Sequence, residues 1–394
     1  MITGYDFLVL SVQDWDTLPT RKHRFPRWWA AAGNRVLYVE QPMHWAGWLV
    51  EIRREFSRLW RWLQGPREIA PNLWVYTLPL LLPFFLMWEP INRLNMALIR
   101  PVLRAQMRRL GFEKVILWTY MPSSADLVGT LGEQAAVYEC VDDFTASKGL
   151  VNSRTVELME RRLIETVDLL IVTAEGLLRE KGPGARRSRL IPNGVDVEHF
   201  ARVTDPDLPV PPLLAGVKHP VIGYIGAIQY WIDTALLGRI AREHPDWTVV
   251  LVGPRQLLAD MTPFEGLPNV IVTGRVPYAE MPGYIKPFDV CVNPYVLDQV
   301  AEHCSPLKLY EYVATGKPVV SVDMPEAHRF KGLIHIAEDA DSFVRLVEHA
   351  VTHDDGLAAQ RMAEAHKHTW RQRFEAATAA LLEVLAEHSG RSEA

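Results

Sequence analysis

The stretch Ser305-Pro306-Leu307-Lys308-Leu309-Tyr310-Glu311-Tyr312-Val313-Ala314-Thr315-Gly316-Lys317-Pro318-Val319-Val320 reads as a helix running straight into a strand. Ser305 is placed to cap the helix, Pro306 takes the first position, where a missing N–H costs nothing, and Gly316 ends it ahead of the β-rich Val319-Val320. Working outward, short β-rich runs alternate with helical stretches along the chain, the pattern of parallel sheets with helices on both faces. The first half holds strand signals at Phe7 to Ser11, Arg35 to Val39, Val115 to Trp118, Ala136 to Cys140 and Leu169 to Thr173, with a helix over Ser153 to Thr166. A second set comprises Val221 to Gly226, Thr248 to Val252, Val270 to Thr273, Val290 to Asn293 and Val319 to Val322. Between the sets, Asp205-Pro206-Asp207-Leu208-Pro209-Val210-Pro211-Pro212 can continue neither a helix nor a central strand and reads as a linker. The expected fold class is therefore α/β, with two doubly wound, Rossmann-like domains over residues 1–204 and 205–368 and a terminal helical segment, 369–394. In such sheets ligands bind outside the carboxyl ends of the strands.

The helix that begins near Ser305 has chemistry of its own. A helix N-terminus offers free backbone N–H groups and a partial positive charge, which suits a phosphate, and Lys308 adds a full charge beside them. Glu311, one turn on, falls on nearly the same face and can accept hydrogen bonds from a ribose diol. The plain alternative is a solvated Lys–Glu pair on a helix surface.

The same stretch resembles, over its whole length, the donor-site helix of GT-B glycosyltransferases of the glycosyltransferase-family-four-like group. In that family the glutamate at the position of Glu311 binds the nucleotide ribose, and the first turn, here Ser305, Leu307 and Lys308, meets the diphosphate. Val221-Ile222-Gly223-Tyr224-Ile225-Gly226-Ala227 is similar to the family's glycine loop, which implies backbone contact of Gly226 and Ala227 with donor phosphates. Val272-Thr273-Gly274-Arg275-Val276-Pro277 resembles the segment whose backbone meets the base, at Arg275 and Val276, and Phe288 to Tyr295 matches the next. Leu190-Ile191-Pro192-Asn193-Gly194-Val195-Asp196 with Phe200 is similar to the signature that ends the family's first domain, so the resemblance covers residues 169 to 325. Many retaining members carry a basic pair just after the glycine loop and a glutamate eight residues before the second one. Here the loop reads Ile228-Gln229-Tyr230-Trp231-Ile232-Asp233 and the other position is His303, which leaves Lys308 to neutralise the diphosphate.

Within the group the chain looks most like the teichuronic-acid type, and it shares two motifs with the inverting xanthan-type glucuronosyltransferases: the Ser-x-x-Lys at the donor helix and a Val-Tyr-x-x-x-Asp strand end, here Val137 to Asp142. Asp142 and the adjacent Asp143 thus stand at the carboxyl end of a first-domain strand, where a carboxylate can take the proton from an acceptor hydroxyl; the alternative is an Asp that caps the following turn. After the first strand, His23 is placed to bond the transferring sugar or acceptor, and Arg21 and Lys22 to meet an acceptor pyrophosphate. Thr119 and Tyr120, after the third strand, are further acceptor-side candidates. The histidines are scattered without ligand spacing, so no metal is expected, and the resemblance implies that helix dipoles and basic side chains replace one, with no cofactor beyond the co-substrate. It also implies that the last helix, from Thr369 through Leu385, crosses back onto the first domain, although its periodicity fits a helix packed on its own domain equally well.

The chain's 394 residues, 48% apolar and 23% charged, exclude a single small module, a disordered chain and a low-complexity one. A net charge of −5 argues against a nucleic-acid partner. That average hides an asymmetry, because Arg21 to Lys114 holds 16 Lys/Arg against 6 Asp/Glu. Three widely spaced cysteines, Cys140, Cys291 and Cys304, point to a reducing, cytoplasmic setting. The N-terminus shows neither a basic leader nor an apolar run of signal-peptide length, and the longest apolar stretch, Leu78 to Trp88, is too short to span a bilayer as a helix.

In Trp45 to Leu63, however, Trp45, Trp48, Leu49, Ile52, Phe56, Leu59, Trp60 and Leu63 recur at helical steps beside Arg53, Arg54, Arg58 and Arg61. Nine of the 13 tryptophans lie at or before Trp88, so this basic, Trp-rich region is expected to rest on the inner face of the cytoplasmic membrane, an ordinary docked amphipathic helix being the alternative. The expected function is transfer of a hexose from a nucleotide sugar, UDP-linked because the base pocket after Gly274 fits a pyrimidine in related enzymes, to a lipid-linked or cell-surface polysaccharide precursor. The rivals are a nucleotide-sugar epimerase of the same fold and a degenerate subunit that partners another glycosyltransferase.

Overall fold

A computed structural model of the chain describes residues 2–17, 19–41, 52–79, 81–144 and 152–392. It forms two compact units, Met1–Pro192 with Phe374–Ala394, and Asn193–Arg373.

The first unit is built on eight strands: β1 (Asp6–Leu10), β2 (Arg35–Val39), β3 (Arg67–Ala70), β4 (Leu73–Tyr76), β5 (Val115–Thr119), β6 (Ala135–Cys140), β7 (Leu169–Val172) and β8 (Ser188–Leu190). Their order is β3-β4-β2-β1-β5-β6-β7-β8, parallel except for the antiparallel edge pair β3/β4. Phe7 sits opposite Val36 on one side and Ile116 on the other, and this register sorts the side chains into two cores. Phe7, Val9, Val36 and Ile116 point into one face, Leu8, Leu10, Leu37 and Leu117 into the other, which is why these strands read as unbroken apolar runs.

The second unit holds β9 (Val221–Ile225), β10 (Thr248–Val252), β11 (Val270–Val272), β12 (Val290–Asn293), β13 (Val319–Val322) and β14 (His335–Ala337). All pair in parallel in the order β11-β10-β9-β12-β13-β14. The order reverses direction between β9 and β12, and at such a switch point the loops on either side diverge and leave room for a ligand.

Both halves are thus doubly wound, as expected, but the division falls at Asn193 and not at the proline-rich stretch. Val195, Val197, Phe200 and Val203 already pack in the second core. The proline-rich stretch is held to the same unit by Lys286, whose ammonium donates to the carbonyls of Asp205 (2.8 Å), Pro206 (2.8 Å) and Leu208 (2.7 Å). At the other end Phe374, Ala377, Leu381, Val384 and Leu385 of the helix Trp370–Ser392 lie in a first-unit core with Phe25 and Trp29. The terminal helix therefore belongs to the first unit from Phe374 on, five residues later than the expected start at 369.

The Trp-rich region is also resolved differently from its sequence reading. Trp45, Trp48 and Leu49 lie outside the described residues, as do the side chains of Ile52, Arg53, Arg54 and Phe56. A helix does span Ile52–Gln64, but of its described arginines Arg58 faces inward and Arg61 is only partly exposed. Arg58 is buried and holds Asp14 at 2.7 Å, and Arg61 lies 3.6 Å from Asp16 and 3.9 Å from the buried Glu40. These carboxylates crowd the carboxyl ends of β1 and β2 and need cations more than the solvent does. Arg58 is therefore not a headgroup contact. Most of the described tryptophans are packing residues too: Trp29 stacks on Phe7 at 4.2 Å and meets Trp118 at 4.8 Å, and Trp15 meets Tyr38 edge-on at 4.9 Å.

Candidate functional site

The donor-side candidates gather at the switch point of the second sheet. Gly226, the residue after β9, has φ +126°, a backbone that L side chains avoid, and a Cβ built there would lie 3.1 Å from the Tyr224 hydroxyl and 3.3 Å from Cε of Lys308. The Lys308 side chain thus lies directly against the glycine loop. Its ammonium donates to the Tyr295 hydroxyl at 3.1 Å and sits over two rings, 4.5 Å from the centre of Tyr295 and 5.2 Å from that of Tyr224. Burial pushes its pKa down to about 8, a shift that Cys304 and Glu311 oppose. A buried cation resting on aromatic faces is poised to take up an anion, because an arriving phosphate repays desolvation already incurred.

The loops around it are fixed by backbone bonds. Gly226 N–H donates to the Val252 carbonyl (2.9 Å) and Ile228 N–H to that of Pro254 (2.9 Å), while Ile232 bridges Tyr295. The Tyr224 hydroxyl donates to the carbonyl of Ala227 (2.9 Å), and Tyr312 accepts from the N–H of Ile225 (2.8 Å). A Cβ at Gly253, which follows β10, would fall 2.1 Å from the Gly226 carbonyl oxygen, so the two loops approach this closely only because residue 253 is glycine.

The helix itself runs Leu307–Thr315, closing on Gly316 at φ +75°. It starts after Pro306, so Ser305 does not cap it. Instead Ser305 Oγ donates to the buried Glu326 (3.0 Å), which also accepts from the Tyr310 hydroxyl and pairs with Arg329 at 3.2 Å. Asn193 then ties the start of the helix down, its N–H reaching Ser305 Oγ (3.2 Å) and its side-chain amide the Ser305 carbonyl (2.7 Å). Leu307 at the first helical position is half-buried, as is Glu311 one turn beyond Lys308. At the edge of the sheet Arg275 is exposed, Val276 packs on the core, and Gly274 bridges Gly253. Tyr224, Asn193 and Glu326 were not singled out in the sequence. Tyr224 and Asn193 stand inside quoted motifs, whereas nothing local marks Glu326, whose burial depends on tertiary packing.

At the carboxyl ends of the first sheet the candidates separate. Arg21 is buried, with Nε 2.5 Å from Glu139 and Nη1 donating to the carbonyls of Ile191 (2.9 Å) and Pro192 (3.3 Å); Glu139 also accepts from the Trp118 indole (2.7 Å). His23 is buried and neutral: Nδ1 accepts from the N–H of Thr20 (3.3 Å), Nε2 donates to the Asp14 carbonyl (3.1 Å), and burial pushes its pKa down to about 4. Thr119 is buried with its hydroxyl on Ser124 (2.9 Å) and the N–H of Met121 (3.0 Å), and Tyr120 is fully buried. Arg21, His23, Thr119 and Tyr120 are thus reassigned from acceptor contacts to the packed layer over the sheet, where all four are buried.

What remains is Lys22 with the aspartates. Lys22 is buried over the Tyr120 ring (5.6 Å); desolvation lowers its pKa, and Asp142 is the leading charge that opposes this. Asp142 is exposed, whereas the side chain of Asp143 is buried 3.8 Å from the Lys181 ammonium. Lys181 in turn holds the buried Glu160 at 2.5 Å, and the other Glu160 oxygen accepts from the Tyr138 hydroxyl (2.6 Å). This buried chain fixes the turn that carries both aspartates. Lys181→Met is expected to destabilise the fold by about 3–5 kcal/mol because it strands Glu160. Urea unfolding checks it, and adding Glu160→Gln should restore most of the loss.

The stretch that holds the donor-side candidates is similar to known proteins. Residues 219–353 match the family described as glycosyl transferases group 1. A Bacillus subtilis (strain 168) chain named as a teichuronic acid biosynthesis glycosyltransferase, TuaH, is 29% identical over 232 residues, 56% of this chain and 58% of that relative, so the match spans less than two thirds of its length. Among solved structures, sucrose-phosphate synthase from Thermosynechococcus elongatus superposes with a TM-score of 0.73 at 15% identity, covering 98% of this chain and 100% of that one. Anabaena Alr3699/HepE in complex with UDP gives 0.66 at 13%, covering 96% and 99%. The trehalose-6-phosphate structure from E. coli bound with UDP-2-fluoro glucose gives 0.67 at 13%, covering 95% and 98%. Residues 219–353 are thus similar to the glycosyl transferases group 1 family, and the chain shares its fold, two Rossmann-like domains, with these solved structures.

Proposed function

We propose that this protein is a glycosyltransferase that passes a hexose from a UDP-linked donor to a lipid-linked or cell-surface polysaccharide precursor, with no cofactor and no metal. The observation that carries the reading is the buried Lys308 ammonium against the Gly226 backbone at the switch point of the second sheet. Growing charge on a leaving diphosphate is stabilised there by Lys308 and by the backbone N–H groups at the start of Leu307–Thr315, a preorganised arrangement that takes the place of a divalent ion. Glu311 takes the ribose, and the backbone at Arg275 and Val276 takes the base. UDP is favoured because two solved relatives of this fold hold UDP or a UDP sugar. The polysaccharide-precursor acceptor rests on the teichuronic acid role in the name of TuaH. On the acceptor side Asp142 is the base, with Asp143 fixed beside it.

A screen of nucleotides and nucleotide sugars by thermal stabilisation tests the donor half, since a ligand at about 100 times its Kd adds about 2.7 kcal/mol to the native state. UDP and UDP sugars should raise the melting temperature, equally with and without EDTA. The absence of any nucleotide response would favour the non-enzymatic subunit, and conversion of the donor to an epimer without acceptor would favour the epimerase.

A further inference from the structure

The helix Glu89–Arg109 is apolar on two sides. One side, Met96, Ile99, Leu103 and Met107, packs in the core of the first unit. The opposite side carries Pro90, Leu94, Leu98, Pro101 and Ala105, three or four residues apart and all exposed, Leu94 at 50% and Leu98 at 54%. A surface helix ordinarily turns a polar face to water. The loop that leads into the helix extends the stripe: Phe84 is 49% exposed, Trp88 is 59% exposed, and their rings lie 6.1 Å apart. Phe84 holds a left-handed backbone, φ +63°, which is uncommon for a bulky residue. At the far end, the Cβ position of Gly65 lies 3.0 Å from a guanidinium nitrogen of Arg109, so the helix Ile52–Gln64, with Trp60 and Leu63 exposed, ends beside the stripe.

Charge borders this surface asymmetrically. Arg93, Arg104, Arg108 and Arg109 are exposed along the helix, and its one acid, Glu89, is taken by Arg93 and Arg162. Five arginines against one glutamate in 21 residues leave a net charge of +4 on an element of an otherwise acidic protein.

We infer that this face, Phe84 and Trp88 with the Leu94–Leu98 stripe and its arginine border, is a docking surface for an anionic lipid bilayer. Aromatic and leucine side chains enter the interface, and the guanidinium groups, on long apolar stems, meet phosphate at its edge. The surface differs from the one expected in the sequence, since Arg58 serves the interior. It also stands independently of the transfer reaction, because docking needs no sugar nucleotide. No helix of the described residues is long and apolar enough to cross a membrane, so contact at this face is superficial.

Flotation of the full chain with vesicles tests the inference. At about 0.1 M salt, the protein should float with phosphatidylglycerol vesicles and stay behind with phosphatidylcholine. The triple variant Trp88→Ser, Leu94→Ser, Leu98→Ser should lower partitioning at least about tenfold, and Arg93→Gln with Arg104→Gln and Arg108→Gln should lower it by a similar factor and flatten the salt dependence. Both sets alter exposed positions, so melting temperature and the response to UDP should match the parent. Failure to float with anionic vesicles, equal recovery on neutral ones, or unchanged flotation of the triple variant would overturn the inference. So would a parent dimer that the triple variant converts to monomer without a change in flotation, since the stripe would then be a contact between copies.

Discussion

Replacing Lys308 by methionine is expected to lower the rate of sugar transfer by about 10²- to 10³-fold, with the melting temperature preserved or raised. Methionine keeps the aliphatic contact with Gly226 and the rings of Tyr224 and Tyr295, so no cavity opens. It removes the side-chain charge aimed at the switch point. In the unliganded protein that charge is carried at a cost, because burial works against it. Its benefit appears only when a diphosphate arrives, and grows as the leaving group takes on charge. Steady-state kinetics against UDP binding by calorimetry separates the two effects. A variant that binds UDP and turns over as the parent does would remove Lys308 from the site.

The same residue predicts opposite pH trends for binding and stability. With a pKa of about 8 in the free protein, the lysine is charged below that value and increasingly neutral above it. Donor affinity should therefore hold steady at lower pH and fall about tenfold between pH 7 and 9, with one proton taken up on binding at the alkaline end. Stability runs the other way. An unfolded lysine near 10.5 binds more protons than the folded one from about pH 8 upward, so this group makes the unliganded fold more stable as pH rises through that window. Lys308→Met should flatten both trends.

The parallel strands were legible because their burial on both faces leaves apolar runs bounded by turns; Arg35–Val39, Thr248–Val252, Val290–Asn293 and Val319–Val322 stand where the residues placed them. β3, β8 and β14 were not, being three- or four-residue edge strands with half-exposed side chains and no alternation to read. β4 is apolar enough, but it lies amid the tryptophans whose crowding suggested a surface. Composition shows that Trp and Arg cluster, yet only packing shows that Arg58 turns toward Asp14 while Trp60 turns to solvent. The meeting of Gly226 and Lys308 was legible for a related reason: local backbone geometry and one fixed helix start bring them together, and both leave motifs. On the acceptor side Arg21, His23, Thr119 and Tyr120 follow strands just as site residues do, but all four are buried, with Arg21 against Glu139, His23 bonded to Asp14 and Thr119 to Ser124, partners that no spacing reveals.

Asp142→Asn is the second large effect, expected to lower transfer by about 10²- to 10⁴-fold with UDP-induced stabilisation unchanged. The two aspartates of the turn have the same charge and different surroundings, which divides their roles. Asp143 is buried near Lys181, inside a chain that continues to Glu160 and Tyr138, so its carboxylate is part of the scaffold. Asp142 is exposed on that turn, and it is the leading charge that opposes the burial-driven fall of the Lys22 pKa. A base must reach an incoming hydroxyl, and of the pair Asp142 is the one whose side chain is exposed. Asparagine keeps the size and the turn and removes the basicity. Asp143→Asn should instead lower the melting temperature, as its loss leaves Lys181 with one carboxylate fewer, and reduce transfer mainly through the displaced turn. If Asp143→Asn abolished transfer at unchanged stability while Asp142→Asn stayed within a few-fold of the parent, the buried carboxylate would be the base, and the Lys181–Glu160 chain would be the group that receives and disperses its proton.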